Sequence, residues 1–340
     1  ELPVTQAASA LGPAGLIGAV SHRQPVGVVA CITSYNFPLV NVAGKLAPAL
    51  ATGNTIIMKP SEVTSLSILH WINVAGGDMP PGVMNVVTGF GKDAGEALVK
   101  HPDVPMITFT GSVVTGKRIA RLASENLKKV SLELGGKDPV IVCDDADVEV
   151  AAKGTSWGGF VNAGQVCTSV ERVYVYEAIA DRFTEALVDE AKKVKLGDPM
   201  DKGTNVGPMS SKMQFTNTIN KVDLAKKEGA RVLTGGQRSG KFEKGYFYEP
   251  TIFDQVTHGM DIVTEESFSP VIPIQRIKSM DEAIQMANST KYGLGCTIFT
   301  RDIERALKGA DNIKAGTICI NNPLMENIAA PFGGMKQSGI

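Results

Sequence analysis

Between residues 26 and 134, short runs of β-branched and aliphatic residues alternate with segments whose apolar positions recur every three or four residues. Continuous apolar runs fit strands buried on both faces, and the longer period fits helices packed on them. The pattern predicts strands over 26–32, 55–58, 83–87, 106–109 and 130–134, with helices over 43–51, 64–74, 93–99 and 115–125. That alternation predicts an α/β fold with a doubly wound, Rossmann-like nucleotide-binding sheet. The second half has the same texture. Phe183, Ala186, Leu187, Ala191 and Val194 fall at helical spacing and predict a helix over 178–194. Ser279-Met280-Asp281-Glu282 is a capping-box signal before a further helix. Residues 235–245, rich in glycine and lysine, predict an exposed loop, and Gly135-Gly136 a hinge between the halves. No internal repeat is present.

Composition narrows the class. In 340 residues, 34 Lys plus Arg face 35 Asp plus Glu, for a formal charge of −1. With 43% apolar and 20% charged residues, disorder is excluded. The even balance argues against nucleic acid or an anionic membrane as partner, and no apolar run is long enough to span a bilayer. The chain begins Glu1-Leu2-Pro3-Val4-Thr5, with neither an initiator Met nor a basic leader, which predicts a trimmed or incomplete chain. Cys31, Cys143, Cys167, Cys296 and Cys319 are odd in number and scattered. They show no zinc spacing and predict no disulfide framework, which fits a reducing compartment, the cytoplasm. No metal is expected. His22, His70, His101 and His258 lie in polar surroundings, and none presents itself as a base for a thiol.

Five segments carry candidate chemistry. Gly111-Ser112-Val113-Val114-Thr115-Gly116 follows a strand and opens a helix, a place where backbone N–H groups can meet a phosphate. It is neither GxGxxG nor a complete P-loop, so an ordinary βα turn explains it as well. Lys59-Pro60-Ser61-Glu62 ends the second strand at the edge where nucleotides bind. There Glu62 can accept ribose hydroxyls, or Ser61 can simply cap a helix. Cys167, in Asn162-Ala163-Gly164-Gln165-Val166-Cys167-Thr168, is either a nucleophile or a packed thiol. Glu133, at an apolar strand end, suits a general base of raised pKa or a buried ion pair with a lysine. Asn36, before Phe37-Pro38, offers an amide to an oxyanion or forms a turn.

Together these segments resemble the aldehyde dehydrogenase superfamily from about Pro25 to Gly339. The likeness includes Tyr35-Asn36-Phe37-Pro38, Lys59-Pro60-Ser61-Glu62, Phe109-Thr110-Gly111-Ser112, Glu133-Leu134-Gly135-Gly136-Lys137, Gly164-Gln165-Val166-Cys167, Glu265-Glu266-Ser267-Phe268-Ser269-Pro270 and Pro331-Phe332-Gly333-Gly334. The resemblance implies a cofactor domain over 24–135 and an α/β catalytic domain over 136–336. Residues 1–23 and 337–340 would be remnants of connecting and oligomerisation segments.

It also implies roles. Cys167 would be the nucleophile, with Asn36 and the Cys167 N–H holding the oxyanion. Glu133 would activate water, and Lys45 would join it in a proton relay. Lys59 and Glu62 would meet the adenosine ribose of NAD, with NADP an alternative. Gly111, Ser112 and Gly116 would serve the pyrophosphate, and Glu266 and Phe268 the nicotinamide end. Phe37, Asn41, Gly44, Val166, Thr168 and Phe332 would line the substrate tunnel. The implied reaction is oxidation of a small aldehyde to an acid through a thiohemiacetal and a thioester. The run Cys167-Thr168-Ser169-Val170-Glu171-Arg172 resembles the lactaldehyde and glycolaldehyde group. A CoA-acylating enzyme is an alternative that Glu133 disfavours. A non-catalytic protein on the same fold is another. The family implies a homo-oligomer for a full-length form.

Overall fold

A computed structural model describes residues 21–325, 327 and 329–340. Of the expected N-terminal connecting segment, residues 1–20 lie outside the described residues. The first sheet is built from β1 (Val28–Ile32), β2 (Thr55–Lys59), β3 (Met84–Val86), β4 (Met106–Thr110) and β5 (Lys129–Glu133). Its helices are α1 (Pro38–Ala51), α2 (Ser65–Ala75), α3 (Glu96–Lys100) and α4 (Val113–Ser124). All neighbouring strands are parallel, in the order β3-β2-β1-β4-β5.

The period-two rule of a strand explains why both faces are covered. Val29 and Cys31 of β1 pack with Ile56 and Met58 against Val42 and Leu46 of α1 and Ile68 of α2. Ala30 and Ile32 point the other way, to Val99 of α3 and Val113, Ile119 and Ala123 of α4. This is the doubly wound arrangement that the sequence predicts. Every expected strand and helix is present, with ends moved by a few residues. The largest difference is α1, which starts at Pro38 rather than 43, since a proline at the first helical position loses no hydrogen bond.

The second sheet has seven strands. They are β6 (Asp138–Val142), β7 (Val170–Tyr176), β8 (Arg231–Thr234), β9 (Thr251–Asp254), β10 (Val271–Ile277), β11 (Gly295–Phe299) and β12 (Thr317–Ile320). Their order is β12-β11-β6-β7-β10-β9-β8, and only β8 runs antiparallel to its neighbour. Helices α5 (Val148–Phe160), α6 (Ala180–Lys193) and α7 (Lys212–Lys227) cover one face through Phe160, Phe183, Leu187, Phe215 and Val222. After the short α8 (Asp261–Thr264), α9 (Met280–Asn288) covers the opposite face through Met280, Ala283 and Ala287. The last helix is α10 (Ile303–Asn312).

Gly135-Gly136 lies between β5 and β6, where the chain passes from one sheet to the other. Residues 337–340 are more than a connecting remnant. Gly339 pairs antiparallel with Glu133, Leu132 exchanges backbone hydrogen bonds with Ile340, and Leu134 N–H donates to Ser338 O. The hydroxyl of the fully buried Ser338 also accepts from Gly293 N–H at 2.9 Å, tying β5 to the turn before β11.

Candidate active site

In the first sheet the strand order reverses at β1, so the crevice between the carboxyl ends of β1 and β4 is a topological switch point. A cleft of about 260 Å³ lies there. Ser34, Tyr35 and Asn36 line it after β1, and Thr110, Gly111 and Ser112 after β4. Leu134, Gly135, Cys167, Met213, Gln214, Asn217, Glu266 and Phe268 complete its wall. The structure thus brings Asn36, Cys167, Gly111, Ser112, Glu266 and Phe268 to one cleft, although up to about 230 positions separate them.

The loop bearing Cys167 is held in an uncommon conformation. Asn162, Ala163 and Gly164 have φ of 52°, 56° and 69°. A Cβ on Gly164 would stand 2.1 Å from Ser269 O, so only glycine fits. Asn162 Nδ2 donates to Gln165 O and, at 3.0 Å, to Asn36 O, which links the thiol loop to the opposite wall. Gln165 Nε2 returns a bond to Asn162 O, and its Oε1 accepts from Ser210 N–H. Asn36 Oδ1 accepts from Ser34 Oγ at 2.7 Å, which leaves the amide Nδ2 as the donor end. Ser34 Oγ in turn accepts from Asn41 Nδ2 at 2.9 Å.

Glu133 ends β5 beside this cleft. Its Oε2 is buried without a hydrogen-bond partner. Burial pushes the carboxyl up to about 7, and the nearby Lys45 charge holds it from rising further. Burial lowers the Lys45 pKa, opposed by the Glu133 charge and by Cys31.

Glu266 and Phe268 are set by a buried clamp. The Lys137 ammonium and Glu171 carboxylate pair at 2.7 Å, 0% and 3% exposed. Glu171 also accepts from Ser267 N–H, Ser267 Oγ and Phe268 N–H at 2.7–2.9 Å. Gln214 Nε2 donates to the Ser267 and Phe268 carbonyls at 3.1 and 2.8 Å. Phe268 is thereby fixed at φ 50°, its ring edge-on to Tyr35 with centroids 6.0 Å apart. Gly136 N–H donates to Glu266 Oε1 at 3.2 Å, and a Cβ on Gly135 would stand 2.3 Å from Glu266 Oε2. Burial, with the Glu171 charge nearby, pushes Glu266 up to about 8. Sequence reasoning assigned no role to Lys137, Glu171, Gln214 or Asn162. The signal for the clamp was Glu171-Arg172 inside an apolar strand, since two buried charges need partners.

Ser112 caps α4, accepting from Thr115 N–H at 3.3 Å, and the helix start faces the cleft where it favours an anion. Gly116 lets α4 lie close on Leu134, 2.5 Å from where its Cβ would be. Lys59, at the end of β2, and Glu62 are not among the residues lining this cleft; they pair with each other at 3.5 Å, Lys59 buried and Glu62 half-exposed. None of the expected tunnel residues lines this cleft. Thr168 and Phe332 line a separate recess beside the thiol loop. Phe37, Asn41 and Val166 lie outside both cavities, Val166 buried and Asn41 supporting Ser34, while Gly44 is in the open. Among the described residues no cluster of His, Cys, Asp and Glu could hold a metal ion, and no helix is long and apolar enough to cross a membrane.

Comparison with known proteins agrees with this geometry. The profile described as Aldehyde dehydrogenase family matches residues 13–340. Betaine aldehyde dehydrogenase, chloroplastic, from Beta vulgaris is 42% identical over 93% of this chain and 64% of its own length. Human retinaldehyde dehydrogenase 3 is 45% identical over 94% of this chain and 62% of its own. The NAD+ complex of betaine aldehyde dehydrogenase from Staphylococcus aureus superposes with a TM-score of 0.91, at 41% identity, over 93% of this chain and 63% of that one. Lactaldehyde dehydrogenase from Escherichia coli does so with a TM-score of 0.91, at 40% identity, over 93% and 66%. The chain thus spans just under two thirds of the length of these relatives. A profile covering nearly the whole sequence, and a shared fold at 40–45% identity, place this chain in the aldehyde dehydrogenase family.

Proposed function

We propose that this chain carries the catalytic centre of an NAD-dependent aldehyde dehydrogenase that releases a carboxylic acid. The observation that carries the reading is one cleft at the switch point lined by Cys167, Asn36, Glu266 and Phe268 together. The Cys167 thiolate attacks the aldehyde carbon, and the Asn36 amide with the Cys167 N–H stabilises the oxyanion. NAD+, when bound, supplies the hydride acceptor. The residues present fit its nicotinamide half, because Gly135 leaves the room that Glu266 occupies and the α4 start favours a phosphate. Loss of hydride from the thiohemiacetal leaves a thioester on Cys167. Glu133 then takes a proton from water, the hydroxide adds to the thioester, and the acid leaves as the thiol is restored. Glu133 favours water over CoA as acyl acceptor.

Lys59 and Glu62 favour NAD over NADP in this reading. The half-exposed carboxylate can meet two ribose hydroxyls but repels a 2′-phosphate. The substrate is a small aldehyde, and the named relatives act on betaine aldehyde, retinaldehyde and lactaldehyde. A full-length form is a homo-oligomer. The five cysteines form no disulfide among themselves and suit a reducing compartment. We place the protein in the cytoplasm, although similar proteins include chloroplastic and peroxisomal ones. The test is absorbance of reduced nicotinamide when protein, NAD+ and a panel of aldehydes are mixed. The expected result is a cofactor-dependent rise that Cys167→Ser abolishes. A folded protein that gives no rise with any aldehyde overturns the reading in favour of a non-catalytic protein on this fold.

A further inference from the structure

Beside the thiol loop, on the second sheet, lies a recess of about 20 Å³. That is room for about one water molecule. Its walls are largely apolar, from Val170, Leu324, Met325 and Phe332, with Thr168 on the side of the nucleophile. Asp138 stands in this wall, 5% exposed, and its Oδ2 has no hydrogen-bond partner. Gly295 N–H faces the carboxyl and offsets part of the cost of burial, yet closes no bond of ordinary geometry to Oδ2. The carboxyl is close to the nucleophile's own backbone. A Cβ on Gly136 would lie 2.5 Å from Cys167 O and 2.7 Å from Asp138 Oδ1. Leaving a buried polar atom without a partner is costly, so a group that visits the recess and satisfies it is strongly selected.

We propose that this recess seats the hydroxyl group of a short hydroxyaldehyde held at Cys167, with Asp138 as the residue that recognises it. The inference rests on Cys167 as the thiol that attacks the aldehyde. The space fits a hydroxyl in place of a water molecule. An apolar tail leaves Oδ2 unpaired. An ammonium group needs the carboxyl ionised, and burial pushes Asp138 well above the usual carboxylate range. Thr168 and Phe332, expected in a substrate tunnel, thus act at the recess, and the substrate class narrows to hydroxyaldehydes.

The test uses thiohemiacetal formation, which needs no cofactor. Propanal, 2-hydroxypropanal, 3-hydroxypropanal and 3-aminopropanal are compared for protection of Cys167 against iodoacetamide, read by mass spectrometry of its peptide. Each value is divided by that of Asp138→Ala, so that differences in aldehyde hydration cancel. At least one hydroxyaldehyde should protect at roughly tenfold lower concentration than propanal. Asp138→Asn, which keeps a hydrogen-bonding group, should retain most of that preference. Cys319 also lines the recess; Cys319→Met fills it while leaving Asp138 in the chain and should remove the preference, which keeps the test decisive if the Ala variant does not fold. Protection that is equal for propanal and both hydroxyaldehydes, or strongest for 3-aminopropanal, overturns the proposal alone. No protection by any aldehyde overturns the nucleophile assignment and this proposal with it.

Discussion

At Glu133 two opposed influences set when the side chain can act. Burial raises the carboxyl to about 7, and the Lys45 charge restrains it. A base works only when deprotonated, so thioester hydrolysis should climb about tenfold per pH unit below 7 and level off above it. Single-turnover acid release against pH is the measurement. A flat profile between pH 5 and 8 excludes Glu133 as the base. Glu133→Gln should still give one burst of reduced cofactor and then stall. The thiols divide in the same physical way. Burial pushes Cys31 up to about 12 and Cys143 up to about 11, and raises Cys296 as well. Only thiolates react with alkylating agents. Stoichiometric iodoacetamide should modify Cys167 first, and mass mapping that finds Cys31, Cys143, Cys296 or Cys319 labelled earlier refutes its role. Cys167, Glu133 and Asn36 were legible because each sits in a short motif at the end of a strand or in a glycine turn. Asp138 was not. Nothing local distinguishes an orphaned carboxyl from one paired across the fold.

At the scale of elements, the thiol loop and the Glu266–Phe268 loop depend on contacts that bind them to other strands. Gly164→Ala puts a methyl against Ser269 O in a left-handed backbone. It should cost about 1–3 kcal/mol and slow alkylation of Cys167, both readable from urea denaturation and labelling rates on the same sample. Glu171→Gln leaves the Lys137 ammonium buried without its counter-charge. Breaking such a pair typically costs about 3–5 kcal/mol. NAD+ affinity measured by calorimetry should fall with it, since Phe268 N–H and Ser267 N–H lose their carboxylate. Strands and helices were readable because their apolar periods are local. The capping box was also readable. Ser279 Oγ accepts from Glu282 N–H as expected, while the Glu282 carboxylate reaches Lys278 N–H, one residue before the cap. The clamp joins residues 137, 171, 214 and 267, and such spacing leaves no period to detect.

For the whole molecule, the order of the first sheet matters more than the content of its strands. An alternation of strands and helices predicts a parallel sheet, but not which strand is central. Only the reversal at β1 creates the crevice where Asn36 and Ser112 meet. The tunnel expectation rests on adjacency instead. Phe37 and Val166 are adjacent to site residues in sequence, and adjacency says nothing of which side of a loop a side chain takes. Residues 337–340 read as a remnant because four residues carry no strand signal of their own. Their pairing with β5 is set by the partner. Ending the chain after Gln337 should therefore lower the thermal midpoint, by about 2–4 °C for each kcal/mol lost. It should also shift the pH profile of acid release, since Glu133 shares that strand. An unchanged melt and profile would show the pairing to be incidental.

That pairing also has a consequence for how the polypeptide is made. Strand β5 is finished when Glu133 leaves the ribosome, but the partner that covers its outer edge follows roughly 200 residues later. At about 5–20 residues per second, the edge stays bare for roughly 10–40 s. A bare parallel sheet edge is a template for any other extended chain. Nascent copies on one polysome are therefore most exposed to mispairing in that interval, and chaperone dependence should concentrate there.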